Sequence, residues 1–263
     1  MQILDGVAWL AYEAGRMILT DAGFTVENKG TKENYVTSTD RRVEVFLKEG
    51  LSALLPEADF LGEEGDDLPG DSKLFWVVDP IDGTANYARG IPASTVSIGL
   101  VKDGVPVLGV VRNPYTDETF CAQKGRGAYL NGRPIKVSQR TREHCMVATA
   151  WSCYNKSLAH VCFQISERLY GECEDIRRIG TAAYALCLLA KGAEDLMFEI
   201  RLSPWDYMAG IVILEEAGGC HSSLDGPVEL TRQCTFLAAN NQDNLKFVRD
   251  TVLSVLGDER PYR

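Results

Sequence analysis

Leu74-Phe75-Trp76-Val77-Val78-Asp79-Pro80-Ile81-Asp82-Gly83-Thr84 begins as an unbroken apolar run and ends in two carboxylates three residues apart, with a proline between them. A short apolar run closed by such a turn predicts a buried strand that stops at the proline. In α/β architectures the loops at strand ends carry the chemistry, because a rigid sheet holds them while they stay open to solvent. Two aspartates crowded at such an edge repel one another unless positive charge lies between them. With oxygen donors alone, the set suits a hard divalent cation, magnesium rather than zinc.

Two distant segments supply matching pieces. Ala58-Asp59-Phe60-Leu61-Gly62-Glu63-Glu64-Gly65 is a second short apolar run that ends in adjacent acids. Ser203-Pro204-Trp205-Asp206 stands before Tyr207-Met208-Ala209-Gly210-Ile211-Val212-Ile213-Leu214, which reads as the opening of a buried helix. Each acid also has an ordinary structural role open to it. Glu63-Glu64 suits a solvated loop, Asp206 an N-cap, and Asp79 a turn before Pro80.

Composition narrows the classes. A chain of 263 residues is long enough for one large domain or two smaller ones, each with a core. A net charge of −10 disfavours a general nucleic-acid surface, which needs a basic field, but it leaves a phosphorylated substrate open because bound cations reverse the local sign. The eight cysteines form no Cys-x-x-Cys pair, there is no His-Glu-x-x-His, and His144, His160 and His221 lie far apart. Reduced thiols in a cytoplasmic protein are therefore expected. The apolar positions from Ile3 to Ile18 follow helical spacing and lack the cationic start and apolar core of a signal peptide. The longest uncharged apolar run, Ala182 to Ala190, is too short to span a bilayer, so no membrane residence is expected. A Gly-x-x-x-x-Gly-Lys loop and a Gly-x-Ser-x-Gly elbow are both missing, which removes NTP-driven kinases and the α/β-hydrolase pattern.

Along the chain the pattern predicts a first helix, a polar loop or edge hairpin from Thr25 to Tyr35, and a helix over 40–54 capped by Thr39 or Asp40. Strands follow at 59–61, 74–78, 95–101, 105–111 and 118–122, with Lys102-Asp103-Gly104 as a tight turn. Ser138 to Glu143 is the best internal boundary. It divides an α+β half, 1–138, with most of the acidic candidates from an α/β half, 139–263, that contributes Asp206. The second half predicts strands at 146–150, 175–179 and 196–200, and helices near 157–170, 181–191, 205–217 and 243–256.

The ordered set Gly62-Glu63-Glu64, Asp79-Pro80-Ile81-Asp82-Gly83-Thr84 and Trp205-Asp206 with Ala209-Gly210 resembles the inositol monophosphatase family of magnesium-dependent, lithium-sensitive phosphatases. Asn86-Tyr87, Gly90-Ile91-Pro92, the glycine-rich Lys124 to Gly132, Gly180-Thr181-Ala182-Ala183 and Glu215 to Gly219 fall in the family's order as well. The resemblance implies a layered α-β-α-β-α sandwich, the sugar-phosphatase fold, and a homodimer. It also implies two Mg2+ ions, one on Glu63, Asp79 and the Ile81 carbonyl, the other on Asp79, Asp82 and Asp206, with a weaker third ion at Asp40 and Glu63. By the same likeness Thr84 hydrogen-bonds the attacking water, with Glu64 or Asp40 as its partner, and the N–H groups of Gly83 and Thr84 grip the phosphate. Asp82, Ala182, Glu199 and Asp206 would surround the hydroxyls of a small polyol or sugar phosphate. Arg201 and Arg89 depart from the family's usual residues, which leaves open fructose bisphosphate, histidinol phosphate or phosphoadenosine phosphate in place of inositol phosphate. A protein-binding role on the same scaffold is a further alternative.

Overall fold

Two mixed β-sheets with helices between and outside them make up this protein, and the computed structural model describes residues 3–31, 34–65, 72–151 and 155–257. Helix α1 (Ile3–Thr20) buries Val7, Leu10, Ala11, Ala14 and Ile18 along one stripe. The polar segment after it is the hairpin alternative, with β1 (Val26–Thr31) antiparallel to β2 (Asn34–Thr37). Helix α2 (Ser38–Leu54) follows without a spacer. Its N-cap is Thr37, not Thr39 or Asp40; Asp40 is its third residue and closes a capping box with Thr37.

The first sheet runs in sequence order: β3 (Asp59–Gly62), β4 (Leu74–Asp82), β5 (Thr95–Lys102), β6 (Val105–Asn113), β7 (Glu118–Gln123), β8 (Ala128–Leu130) and β9 (Arg133–Pro134). The β3–β4 pair is parallel and the other pairs are antiparallel. The β5–β6 turn puts Asp103 at φ +50° and Gly104 at φ +76°, the backbone twist that suits a two-residue hairpin. One expectation is corrected here. Strand β4 does not stop at Pro80 but continues to Asp82, and its register on β5 slips between Asp79 and Asp82. A bulge is one of the few places in a sheet where a residue without an N–H costs no ladder bond. The short helix α3 (Thr84–Tyr87) begins two residues after the strand ends.

The second sheet has the order β11-β10-β12-β14-β13. It is built from β10 (Met146–Thr149), β11 (Asp175–Arg177), β12 (Leu196–Leu202), β13 (Cys220–Ser223) and β14 (Cys234–Ala239). Strand β14 is buried at every residue and sits between β12 and β13, yet its cysteine and alanine content hid it from the pattern reading. Helices α4 (Ala159–Glu172) and α7 (Gln242–Leu256) cover the outer face of this sheet, and α1 and α2 cover the outer face of the first. Between the sheets lie α5 (Ala182–Ala190) and α6 (Pro204–Glu216). Their apolar residues share one core with Val77, Val111 and Phe120 of the first sheet and with Met197, Phe236 and Ala238 of the second. The result is the expected α-β-α-β-α sandwich. Every cysteine among the described residues is a free thiol; Cys153 lies outside them. No described helix is long and apolar enough to cross a membrane.

One contact sets the position of α6. Gly99 and Gly109 pair across β5 and β6, and together they form a trough for the helix backbone at Ala209. A Cβ on Gly109 would lie 2.2 Å from the Ala209 carbonyl oxygen, and one on Gly99 would lie 3.1 Å from the Ala209 nitrogen. Asp206 stands one turn upstream on the same helix, so this trough also fixes how far that carboxylate reaches toward β4. Gly109→Ala should therefore destabilise the fold by about 1–3 kcal/mol, read as a lower urea midpoint. An unchanged midpoint would show that α6 is not seated on this pair.

Candidate active site and metal centre

The end of β4 holds its two aspartates by different means. Asp79 and Asp82 are both buried. The Ile81 N–H turns back across Pro80 and donates to Asp79 Oδ1 at 2.9 Å. Asp82 Oδ2 accepts from the Ala183 N–H at the start of α5, at 2.8 Å. Asp206 is half-buried and is the third residue of α6, not its N-cap. The cap is Ser203, whose N–H donates to Asp206 Oδ2 at 2.8 Å. In each of the three the backbone takes one oxygen. One oxygen from each of Asp79, Asp82 and Asp206 lies within 4.8 Å of the others. Glu63 joins them through the parallel pairing of β3 with β4: its N–H donates to the Val78 carbonyl at 3.1 Å, which brings it to the level of Asp79.

Packing acids this closely out of water shifts the three aspartates in one direction. Burial, and then the charge of Glu63, pushes Asp79 well above the ordinary carboxylate range. Burial raises Asp82 to about 7, against the N–H groups of Ala183 and Ala182 that pull it down. Asp206 is pushed up to about 8 by burial and then by Asp82. The cluster can hold a metal ion, because oxygen donors drawn together against their own repulsion are what a hard divalent cation requires.

Thr84 and Asp40 form a second unit beside it. The Thr84 hydroxyl lies 3.2 Å from Asp40 Oδ1 and 3.1 Å from the Ile81 carbonyl oxygen. Asp40 is fully buried, and its other oxygen accepts from the Thr37 N–H at 2.9 Å and from the Thr37 hydroxyl. Of the two partners expected for Thr84, then, the hydroxyl faces Asp40. The Glu64 N–H donates to Glu44 Oε2 at 2.9 Å. Gly83 is the N-cap of α3 at φ +89°, and a Cβ there would meet Thr181 Cγ2 at 2.5 Å, so both backbone and space demand glycine. Glu199 on β12 is buried, accepts from the Ala150 N–H, and is pushed well above its usual range by burial and then by Asp206. Ala182 is the first residue of α5 and is buried. Arg201 is half-buried, donates from Nε to Gln233 Oε1 at 2.7 Å and lowers Asp206. Arg89 is exposed and reaches the Ala85 carbonyl at 3.3 Å.

Sequence reasoning missed Glu44, which ties down the loop carrying Glu63 and Glu64. Its signal was available: it lies four residues after Asp40, on the same face of α2. Thr37-Ser38-Thr39-Asp40 and Ser203-Pro204-Trp205-Asp206 share the Ser/Thr-x-x-Asp spacing of a capping box, which places each acid at the third helical position.

The profile of the Inositol monophosphatase family matches residues 2–254. The chain belongs to the inositol monophosphatase family. Among relatives, it is 37% identical over 203 residues to the fructose-1,6-bisphosphatase/inositol-1-monophosphatase of Aquifex aeolicus, covering 77% of this chain and 76% of that one. It is 39% identical over 190 residues to the Nus factor SuhB of Xylella fastidiosa, covering 72% and 69%. The crystal structure of the extragenic suppressor protein suhB from Bartonella henselae superimposes with a TM-score of 0.88 at 34% identity, over 95% of this chain and 98% of that one. Membership makes this family member a phosphoric monoester hydrolase, and its buried acids form a cluster able to bind metal.

The raised carboxylates carry a pH signature. Asp82 and Asp206 have an ordinary value of 3.8 and move to about 7 and about 8 in the fold. The folded chain therefore holds these protons more tightly than the unfolded chain does. The stability they contribute is complete below the ordinary value and is lost as pH rises through the folded values. In chelator, the melting temperature should fall between about pH 5 and about pH 8, and a divalent cation that replaces the protons should flatten that slope. Equal slopes with and without the cation would show that these carboxylates do not meet in a metal site.

Proposed function

We propose that this chain is a magnesium-dependent phosphatase that hydrolyses inositol monophosphate or a related polyol or sugar phosphate by direct attack of water. The observation that carries the reading is the convergence, within 4.8 Å, of carboxylate oxygens from β4 and α6, with the Thr84–Asp40 pair alongside. Glu63, Asp79 and the Ile81 carbonyl would hold one Mg2+, and Asp79, Asp82 and Asp206 a second. A weaker third would sit at Asp40 and Glu63. When bound, the ions supply positive charge to the phosphate and lower the pKa of water.

The chain's own groups account for the proton and for the substrate's orientation. The Thr84 hydroxyl has one hydrogen to give, and with it directed at Asp40 Oδ1 its lone pairs remain to accept from the attacking water. The water's proton moves to Thr84 Oγ1 as that oxygen passes its own to Asp40. Burial raises Asp40, which makes it a better base than an aspartate in solvent. Thr84 stays a relay in this scheme, so no phosphoenzyme forms. The N–H groups of Gly83 and Thr84, at the head of α3, hold the phosphate oxygens. Glu199 accepts from substrate hydroxyls, with Asp82, Ala182 and Asp206 completing the wall.

Fructose bisphosphate is the leading alternative substrate, since the Aquifex aeolicus relative carries both activities in its name. Histidinol phosphate and phosphoadenosine phosphate complete the panel. A protein-binding role on the same, homodimeric scaffold is favoured by the name Nus factor given to the Xylella fastidiosa relative. Phosphate release from the four substrates, with magnesium and again with EDTA, separates these readings. Magnesium-dependent release from one of them is expected. Silence from folded protein with magnesium bound would shift the weight to the binding role, which a pull-down then tests. Asp79→Asn should keep its circular dichroism spectrum and lose more activity than the about 10–100-fold that removing a ligand's own support costs. Near-normal turnover in that variant would sink the proposal.

A further inference from the structure

Against Glu199, a small cavity with about 10 Å³ of room for a water's centre lies between the end of β10, the start of α5 and the loop that leads into β12. Thr149, Thr181 and Glu194 line it, and each is more than nine-tenths buried. Among the described residues, Thr149 Oγ1, Thr181 Oγ1 and Glu194 Oε2 have no hydrogen-bond partner. Leaving one such atom unsatisfied costs about 1–3 kcal/mol, and three on residues lining one small space call for a shared partner. Arg177 at the rim does not fill that role, because its guanidinium is exposed and bound to Asp175 and to the Ile176 carbonyl. Burial pushes Glu194 up to about 7, although the charge of Arg177 pulls it down.

The three side chains sit next to the groups that orient the active site. Thr149 precedes Ala150, whose N–H holds Glu199. Thr181 precedes Ala182 and Ala183, whose N–H groups hold Asp82, and its methyl packs against Gly83. Glu194 closes the loop between α5 and β12.

We propose that this chamber binds one water molecule, which accepts from the Thr149 and Thr181 hydroxyls and donates to Glu194, and that through it these side chains position Ala150 on Glu199 and Ala182–Ala183 on Asp82. The space takes one water, and three polar partners is the usual complement for a buried one. Thr149, Thr181 and Glu194 are thus positioning residues: they touch neither substrate nor metal. The link to substrate rests on the role proposed above for Glu199, whereas the water site itself does not.

A high-resolution crystal structure of the full chain tests the site directly. Density is expected about 2.6–3.2 Å from all three oxygens. A dry chamber, direct bonds among the three side chains, or a metal ion in the space would overturn it. Thr149→Val keeps the shape and deletes one hydroxyl. If the water is there, the variant should melt lower, and amide exchange across 181–185 should quicken on the order of tenfold. If the chamber is dry, the variant instead removes an orphaned hydroxyl and melts at the same temperature or higher, with exchange unchanged, and the proposal falls. Glu194→Gln, which keeps an acceptor oxygen, should restore most of the protection that Glu194→Ala loses; equal behaviour of those two would also overturn it. For inositol monophosphate, Thr149→Val should lower kcat/KM about three- to tenfold, mostly through KM. Turnover of p-nitrophenyl phosphate, which has no hydroxyls for Glu199 to orient but still needs Asp82, should fall by a smaller factor, and an equal fall on both substrates would remove Glu199 from the link. An enzyme inactive on both substrates would refute the proposed function, while the density and exchange experiments would still decide the chamber.

Discussion

Repulsion among aspartates that the fold forces together is the constraint on which this protein is built. Asp40, Asp79, Asp82 and Asp206 each give one oxygen to a backbone N–H, from Thr37, Ile81, Ala183 and Ser203 respectively. Each pin is a bond to a carboxylate whose donor lies at a helix start or at the bulge of β4, where backbone N–H groups lack ladder or helix partners of their own. The pins oppose the repulsion: Asp79, Asp82 and Asp206 each bring an oxygen within 4.8 Å of the others, and the second oxygen of Asp40 takes the Thr84 hydroxyl. Geometry and electrostatics are therefore set by one device.

That device makes stability and function hard to separate. The capping boxes at Thr37 and Ser203 stabilise the starts of α2 and α6 and at the same time orient two acids of the site. Capping and ligation compete only if a carboxylate has a single oxygen to offer. With two, as at Asp40, one serves the helix and the other the site. The cost falls on the metal-free state, where burial leaves the acids raised and a divalent cation becomes the partner the cluster lacks.

The layered fold supplies the distances. Parallel pairing carries Glu63 to the level of Asp79, and the bulge at Pro80 lets β4 present two aspartates instead of one. The trough of Gly99 and Gly109 lets α6 lie close enough for Asp206 to reach them from a segment more than a hundred residues away. The same closeness reconciles a net charge of −10 with a phosphorylated substrate, because a cation held in the cluster reverses the sign locally whatever the overall balance.

Local order was legible in the sequence. The apolar run before Asp79, the helical stripes of α1 and α2, the turn at Lys102-Asp103-Gly104 and the ordered motifs all depend on neighbours within a few residues, so periodicity and residue type suffice to read them. Even the capping boxes were written there, in two Ser/Thr-x-x-Asp spacings. Strand β14 was not, because a strand buried on both faces loses its alternation, and alanine and cysteine carry little β signal. Nor could the sequence say that Thr84 faces Asp40, that Asp82 is held by the start of α5, or that Thr149, Thr181 and Glu194 share a cavity. The sequence by itself determined which residues could do this chemistry and which local elements would carry them. Only the tertiary structure decided which oxygens meet, because a hydrogen bond is won or lost over a few tenths of an ångström, and such distances are set by the packing of distant segments.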